Sequence, residues 1–197
     1  MNPGPRGAAP ADPYHAVLPR RAASIRLAGD PAHGLLFAGY VLAEAALLDR
    51  RSVCHAPTLG AAARGPLSGG ALRIAGEQSE YPLVDEPDCL LLTSPQALQR
   101  LASSLASEGR LLVEESMGEH APGFAIALPL VHAAVEYGGT SLVVDLVAAA
   151  AVTAITGAVS RRSLYEAAAR LLPEWGRPAA LAALDAGMEM GKSRLRG

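Results

Sequence analysis

Aromatic side chains are scarce in this chain, at 4% of 197 residues, although half of the residues are hydrophobic. Alanine, leucine and valine must therefore do most of the packing. Basic residues are not in excess: Lys+Arg 17 against Asp+Glu 19 gives a formal net charge of −2. That balance excludes a basic face for nucleic acid. Cysteine is limited to Cys54 and Cys89, far apart in the chain and in no C-x-x-C. An iron–sulfur cluster or a structural zinc needs more thiolates or grouped ligands. Both cysteines are expected as buried, reduced core residues of a cytoplasmic protein. G-x-S-x-G, H-E-x-x-H and a Walker loop are missing too, so no catalytic residue and no metal ligand is assigned.

Long apolar runs are limited to one. Leu142 to Val159 is almost wholly apolar over 18 residues, but it carries Asp145 and much of it is alanine. A central acid costs a few kcal/mol in a bilayer and alanine contributes little to insertion. The stretch is expected as a buried helix, not a membrane span. Residues 1–23, rich in Pro, Ala and Gly, read as a flexible arm without the continuous hydrophobic stretch of a secretory signal. One domain of ordinary size is expected over 24–192, followed by a tail at 193–197.

The most informative stretch is Ile25–Gly34, followed at once by the apolar-rich Leu35–Leu48. It reads as a strand, a glycine-bounded turn and a helix N-terminus, where unpaired N–H groups and the helix dipole favour an anion. The turn is not a dinucleotide fingerprint, because Pro31 stands where the middle glycine of G-x-G-x-x-G belongs. The second strand, Ser52–Ala56, also ends without the acid a dinucleotide ribose wants.

Further along, Gly70–Gly76 alternates and predicts a strand, antiparallel at an edge. Asp88–Thr93 is a continuous apolar run of the buried parallel kind. Ser94 and Pro95 open a helix to Leu105. Arg110–Glu114 and Phe124–Leu128 are two more strands. The last third predicts helices over Leu142–Thr156, Ser163–Leu172 and Pro178–Met190, with Ser160 or Ser163 as a cap and Pro173 as a stop. The fold class is α/β: a Rossmann-like, mostly parallel sheet with helices on both faces and a helical C-terminal cap.

Ligands of such sheets bind at the carboxyl ends of the strands. That edge collects Gly29–Gly34, Pro57–Gly65, Thr93–Pro95 and Glu114–Gly118. Arg64, between Ala63 and Gly65, either holds a phosphate or is a solvated or intersubunit arginine. His33 either meets an anion or is a polar turn residue. His120 and His132 form no metal spacing with a carboxylate. Glu114 and Glu115, adjacent on a strand, point to opposite faces and make a poor acid–base pair. Asp145 is expected to cap its helix, pair with an arginine or meet a partner.

Several motifs in order resemble the gamma subunit of 2-oxoacid:ferredoxin oxidoreductases: the first strand with its G-x-x-x-x-G turn, Ala38-Gly39-Tyr-Val-Leu42-Ala43-Glu44-Ala45-Ala46, Arg64-Gly65, Leu72-Arg-Ile74, Pro82–Asp88, Ala154-Ile-Thr-Gly157 and Ala186–Lys192. The resemblance implies a non-catalytic subunit, associated with assembly and with coenzyme A. Thiamine diphosphate and magnesium would lie in alpha and beta subunits, and [4Fe-4S] clusters in a ferredoxin-like subunit. It assigns Gly29, His33, Gly34, Gly60, Arg64 and Gly65 to the coenzyme. The family's turn usually reads G-x-G-G-Q-G and its second loop S-Y-G-x-E-x-R-G-G. Here Asp30, Pro31, Ala32 and His33 fill the first, and Thr58-Leu-Gly60-Ala-Ala-Ala-Arg64-Gly65-Pro66 the second. Asp145-Leu146 replaces the usual Asn-Met, and Ala150 a glycine. The departures cluster on the ligand edge and imply an altered coenzyme A site. The other readings are a stand-alone Rossmann-type nucleotide-binding protein and a ligand-free assembly module.

Overall fold

The computed structural model describes residues 22–58, 67–75 and 84–195. Strand β1 (Ala23–Gly29) leads through a single 3-10 turn, Pro31–His33, into α1 (Leu35–Leu48). There follow β2 (Ser52–Thr58), β3 (Ser68–Ala75), β4 (Cys89–Leu92), α2 (Pro95–Leu101), β5 (Arg110–Glu114) and β6 (Ile126–Leu128). The remainder is α3 (Leu130–Gly138), α4 (Val144–Thr156), α5 (Arg161–Leu171) and α6 (Arg177–Leu195). The expected arm at 1–23 falls almost wholly outside the described residues. The expected tail does not stay a tail, since α6 runs on to Leu195 with Lys192 and Arg194 in its last turn, where cations complement the dipole.

The sheet has the order β2-β3-β1-β4-β5-β6. Strands β1, β4, β5 and β6 are parallel neighbours. β3 is antiparallel to both β1 and β2. Its antiparallel direction agrees with the sequence, but its place does not: β3 is internal and β2 forms the edge. The chain crosses from β1 over α1 to β2, then doubles back and inserts β3 in the gap.

Alternation along the strands sorts the core to two faces. Ile25, Leu27, Leu72, Ile74, Cys89, Leu91, Leu112 and Leu128 meet the thick layer of α1 and α3–α6. Ala28, Leu90, Leu92, Leu111 and Val113 meet the thin layer, in which Ala97 and Leu98 of α2 and Met117 pack. Helices cover both faces, unequally. Cys89 is fully buried, which pushes its thiol up to about 12. Cys54 is only partly buried on the edge strand, short of the full burial expected for both.

The long apolar run resolves into α4, 13 residues buried nearly throughout at the centre of the thick layer. A bilayer needs about 20 residues. Pro31–Leu48 is long and apolar enough for a span by length and composition, but Gly34 in the left-handed region breaks it and seven residues of α1 are buried. A buried leucine contributes about 1.5–3 kcal/mol, and each methyl much less. Four consecutive alanines, Ala148–Ala151, therefore gain mainly by close approach. Gly187 and Gly191 of α6 permit it: a β-carbon at Gly187 would lie 2.3 Å from the Val147 carbonyl oxygen.

Candidate functional site

The turn after β1 saturates its own donors. Asp30 enters it extended, and its carboxylate accepts the Ala32 N–H at 2.8 Å. Pro31 has no N–H. The His33 N–H donates to the Asp30 carbonyl at 3.0 Å, and the Gly34 N–H to the Pro31 carbonyl at 3.3 Å. No backbone donor from Pro31 to Gly34 is left for a ligand, whereas the first turn of α1 that follows has no side-chain cap.

The two glycines that bound the turn have packing reasons. A β-carbon at Gly29 would meet Thr93 Oγ1 at 1.8 Å. Gly34 has φ +62, the left-handed region that favours glycine. Its β-carbon position lies 3.2 Å from Asp145 Oδ2. Thr93, buried at the end of β4, is hydrogen-bonded to His33 Nδ1 at 2.9 Å. This bond fixes the imidazole at the carboxyl edge of the sheet, with Nε2 on the ring's other side.

Asp145 lies beneath the turn. It does not cap α4, whose N-cap is Val143, but sits in the first turn and accepts the Leu146 N–H at 2.7 Å. Burial pushes its carboxyl up to about 7. It forms no ion pair among the described residues. Glu114, also buried, ends β5 and accepts the Val131 N–H at 3.3 Å. Because α3 starts after Pro129, which has no side chain to cap it, Glu114 supplies the acceptor from the neighbouring strand. Burial raises its pKa first of all, against the backbone bonds that lower it. Glu115 opens the turn Glu115–His120, so the two glutamates form no pair.

The described ends of the β2–β3 connection lie beside the first turn. Gly29 pairs with Ser68, and Thr58 with Gly69. The ends of the β2–β3 connection thus stand next to the β1 turn. Gly60, Arg64 and Gly65 lie outside the described residues.

Next along the same edge is a cavity of about 390 Å³, lined by Pro95, Leu98, Gln99, Ser116, Met117 and His120. His132 is elsewhere, on the exposed face of α3. It pairs with Glu136, one turn away, at 3.1 Å. That is an i,i+4 surface pair with no third ligand. Among the described residues, no group of three or more His, Cys, Asp or Glu is placed to hold a metal. His55 points inward from β2 against the Tyr40 ring, centroids 4.9 Å apart. Gly39 and Gly70 make room for it, and burial lowers its pKa. Sequence reasoning placed Thr93 at the edge but did not single it out. The signal was available: a threonine directly before the Ser94 cap ends a buried strand beside the glycine turn.

The family model for pyruvate ferredoxin/flavodoxin oxidoreductase matches residues 24–190. The 2-oxoglutarate synthase subunit KorC of Methanothermobacter marburgensis is 32% identical over 176 residues, covering 84% of this chain and 95% of that one. Among solved structures, the gamma subunit of a keto/oxoacid ferredoxin oxidoreductase from Geobacter sulfurreducens PCA has a TM-score of 0.76 and 27% identity, covering 87% of this chain and 97% of that chain. The 2-oxoglutarate:ferredoxin oxidoreductase from Magnetococcus marinus, with 2-oxoglutarate, coenzyme A and succinyl-CoA bound, has a TM-score of 0.77 at 19% identity. It covers 88% of this chain but 31% of that longer one, and shows the shared fold. The chain belongs to the pyruvate ferredoxin/flavodoxin oxidoreductase family. Within it, this is a gamma-type subunit of a 2-oxoacid:ferredoxin oxidoreductase, one chain of a multi-subunit enzyme.

Proposed function

We propose that this chain is the non-catalytic gamma partner of subunits that oxidatively decarboxylate a 2-oxoacid and pass the electrons to ferredoxin or a similar acceptor. In this reading, alpha and beta subunits hold thiamine diphosphate and magnesium, and a ferredoxin-like subunit holds the [4Fe-4S] clusters. The complex works in the cytoplasm, on neither nucleic acid nor membrane. The name of the Methanothermobacter relative supports 2-oxoglutarate as the 2-oxoacid.

The gamma chain contributes to assembly and to a modified coenzyme A site. Side chains, not turn amides, meet the coenzyme there: His33 from the first loop and Arg64, between Gly60 and Gly65, from the second. Gly29 and Gly34 shape the turn that presents His33. The observation that carries this reading is the register at the sheet edge. Gly29 opposite Ser68, with Thr58 opposite Gly69, puts the described ends of the β2–β3 connection beside the β1 turn. The saturated β1 turn favours the ligand-free assembly module as the second reading.

The purified complex separates the two. Coenzyme A should raise its thermal midpoint, as any ligand of the native state does. Arg64→Ala should raise the KM for coenzyme A about tenfold, roughly one charge-assisted phosphate contact, with the complex intact. No thermal protection and an unchanged KM would leave the assembly role alone.

A further inference from the structure

We propose that His55 is a proton-operated latch, which holds the edge strand β2 in the sheet while its ring is neutral and releases it when the ring takes a second proton. The imidazole fills a slot between two backbones. A β-carbon at Gly39 of α1 would lie 2.5 Å from its Nε2, and so would one at Gly70 of β3. The Tyr40 ring meets it edge-on, with centroids 4.9 Å apart. Nε2 is buried there and has no hydrogen-bond partner. A neutral ring with its proton on Nδ1 leaves only a lone pair at that position. A second proton puts a charged donor into the same slot with nothing to accept it, which is far more costly.

The surrounding elements offer no relief. From α1 come Gly39 and the Tyr40 ring, and Glu44, one turn further along that helix, is engaged by Arg170 of α5 at 3.2 Å. From β3 come Gly70 and Leu72, the residue paired with His55, while Arg73 pairs with Cys54 and so belongs to the other face. On β2 itself, Arg51 donates to the Ala158 carbonyl. Burial is the cause that lowers the His55 pKa from the ordinary 6.5. β2 is also the strand placed to respond. It pairs with β3 alone, whereas β4 and β5 each have two neighbours, so its release breaks a single ladder. Its end, Thr58 opposite Gly69, is the end that stands beside the β1 turn. The opened strand binds a proton at the ordinary value and the closed one resists it, so acid favours opening.

The test is hydrogen exchange of the full-length chain, read as protection at each pH relative to the intrinsic rate. From about pH 7 to about pH 5, protection of Ser52–Thr58 should fall about tenfold more than that of Cys89–Leu92 and Arg110–Glu114. His55→Phe, which takes no proton, should abolish this extra loss, and His55→Leu serves where phenylalanine overfills the slot. An equal loss in all three strands would mean global unfolding and overturn the latch. So would an extra loss in β2 that persists in the variants, or a His55 ring that titrates near its ordinary value, by NMR, with β2 still protected.

Discussion

The hydroxyl of Thr93 fills the space that a β-carbon on residue 29 would need, at a distance of 1.8 Å. The same hydroxyl is bonded to His33 Nδ1 at 2.9 Å, so strand β4 positions both the glycine and the histidine of the β1 turn. Gly29→Ala must displace Thr93 or open the β1–β4 pairing. Overpacking of this kind costs about 1–3 kcal/mol, or a fall in Tm of about 2–4 °C per kcal/mol for a domain of this size. Adding Thr93→Ala to the same chain should recover part of it. A Gly29→Ala protein with the parent's Tm would contradict the contact.

The α4–α6 seam should be as intolerant. A β-carbon at Gly191 would lie 2.6 Å from Ala154 Cβ and 2.9 Å from the Ala151 carbonyl oxygen. Helix propensity alone favours alanine over glycine by about 1 kcal/mol. The clash should reverse that sign, so Gly187→Ala and Gly191→Ala should each lower the denaturant midpoint. A stabilised variant would show that the helices are free to part.

Asp49 ties the end of α1 to the start of α5. Its carboxylate accepts the Ser160 N–H at 2.6 Å, the Ser160 hydroxyl at 2.7 Å and the Ser163 hydroxyl at 2.6 Å. Ser160 in turn caps α5 by accepting the Ser163 N–H. Asp49→Ala would strand these donors, at about 2–3 kcal/mol in equilibrium unfolding. Asp49→Asn, which keeps an acceptor, should lose less. Equal losses in the two variants would mean that charge, not hydrogen bonding, makes the tie.

Asp145 gives a pH signature. Its carboxyl goes from the ordinary 3.8 to about 7 on folding because it is buried. The native state therefore holds a proton that the unfolded state has lost between those values. Stability should fall as pH rises through that window. Other carboxylates contribute as well, so the difference between proteins is the readout. Asp145→Asn should gain in Tm over the parent as pH rises from 4 towards 8. A constant difference would mean that Asp145 titrates alike in both states.

Much of the fold was legible where the pattern is local. The buried run at Cys89–Leu92, the Ser94 cap with Pro95, and the serine cap of α5 follow from side-chain type and spacing alone. The insertion of β3 between β2 and β1 was not legible, because alternation gives a strand and not its neighbour. Helix α3 went unread although Pro129, the apolar spacing of Leu130, Ala133 and Ala134, and the left-handed Gly139 mark it. Helix α2 ended early because Ala102–Ser104 tighten into a 3-10 turn. At the edge, glycine spacing located the turn and Asp30 marked a departure. That Asp30 uses up an amide, and that Thr93 requires the glycine, are facts of three-dimensional contact that no spacing encodes.

Native mass spectrometry of the tagged chain, drawn from its own cells with every partner identified, tests the central claim most directly. The gamma-subunit account predicts co-purification with thiamine-diphosphate and iron–sulfur subunits in fixed stoichiometry. A lone chain, or one bound only to unrelated proteins, would contradict it.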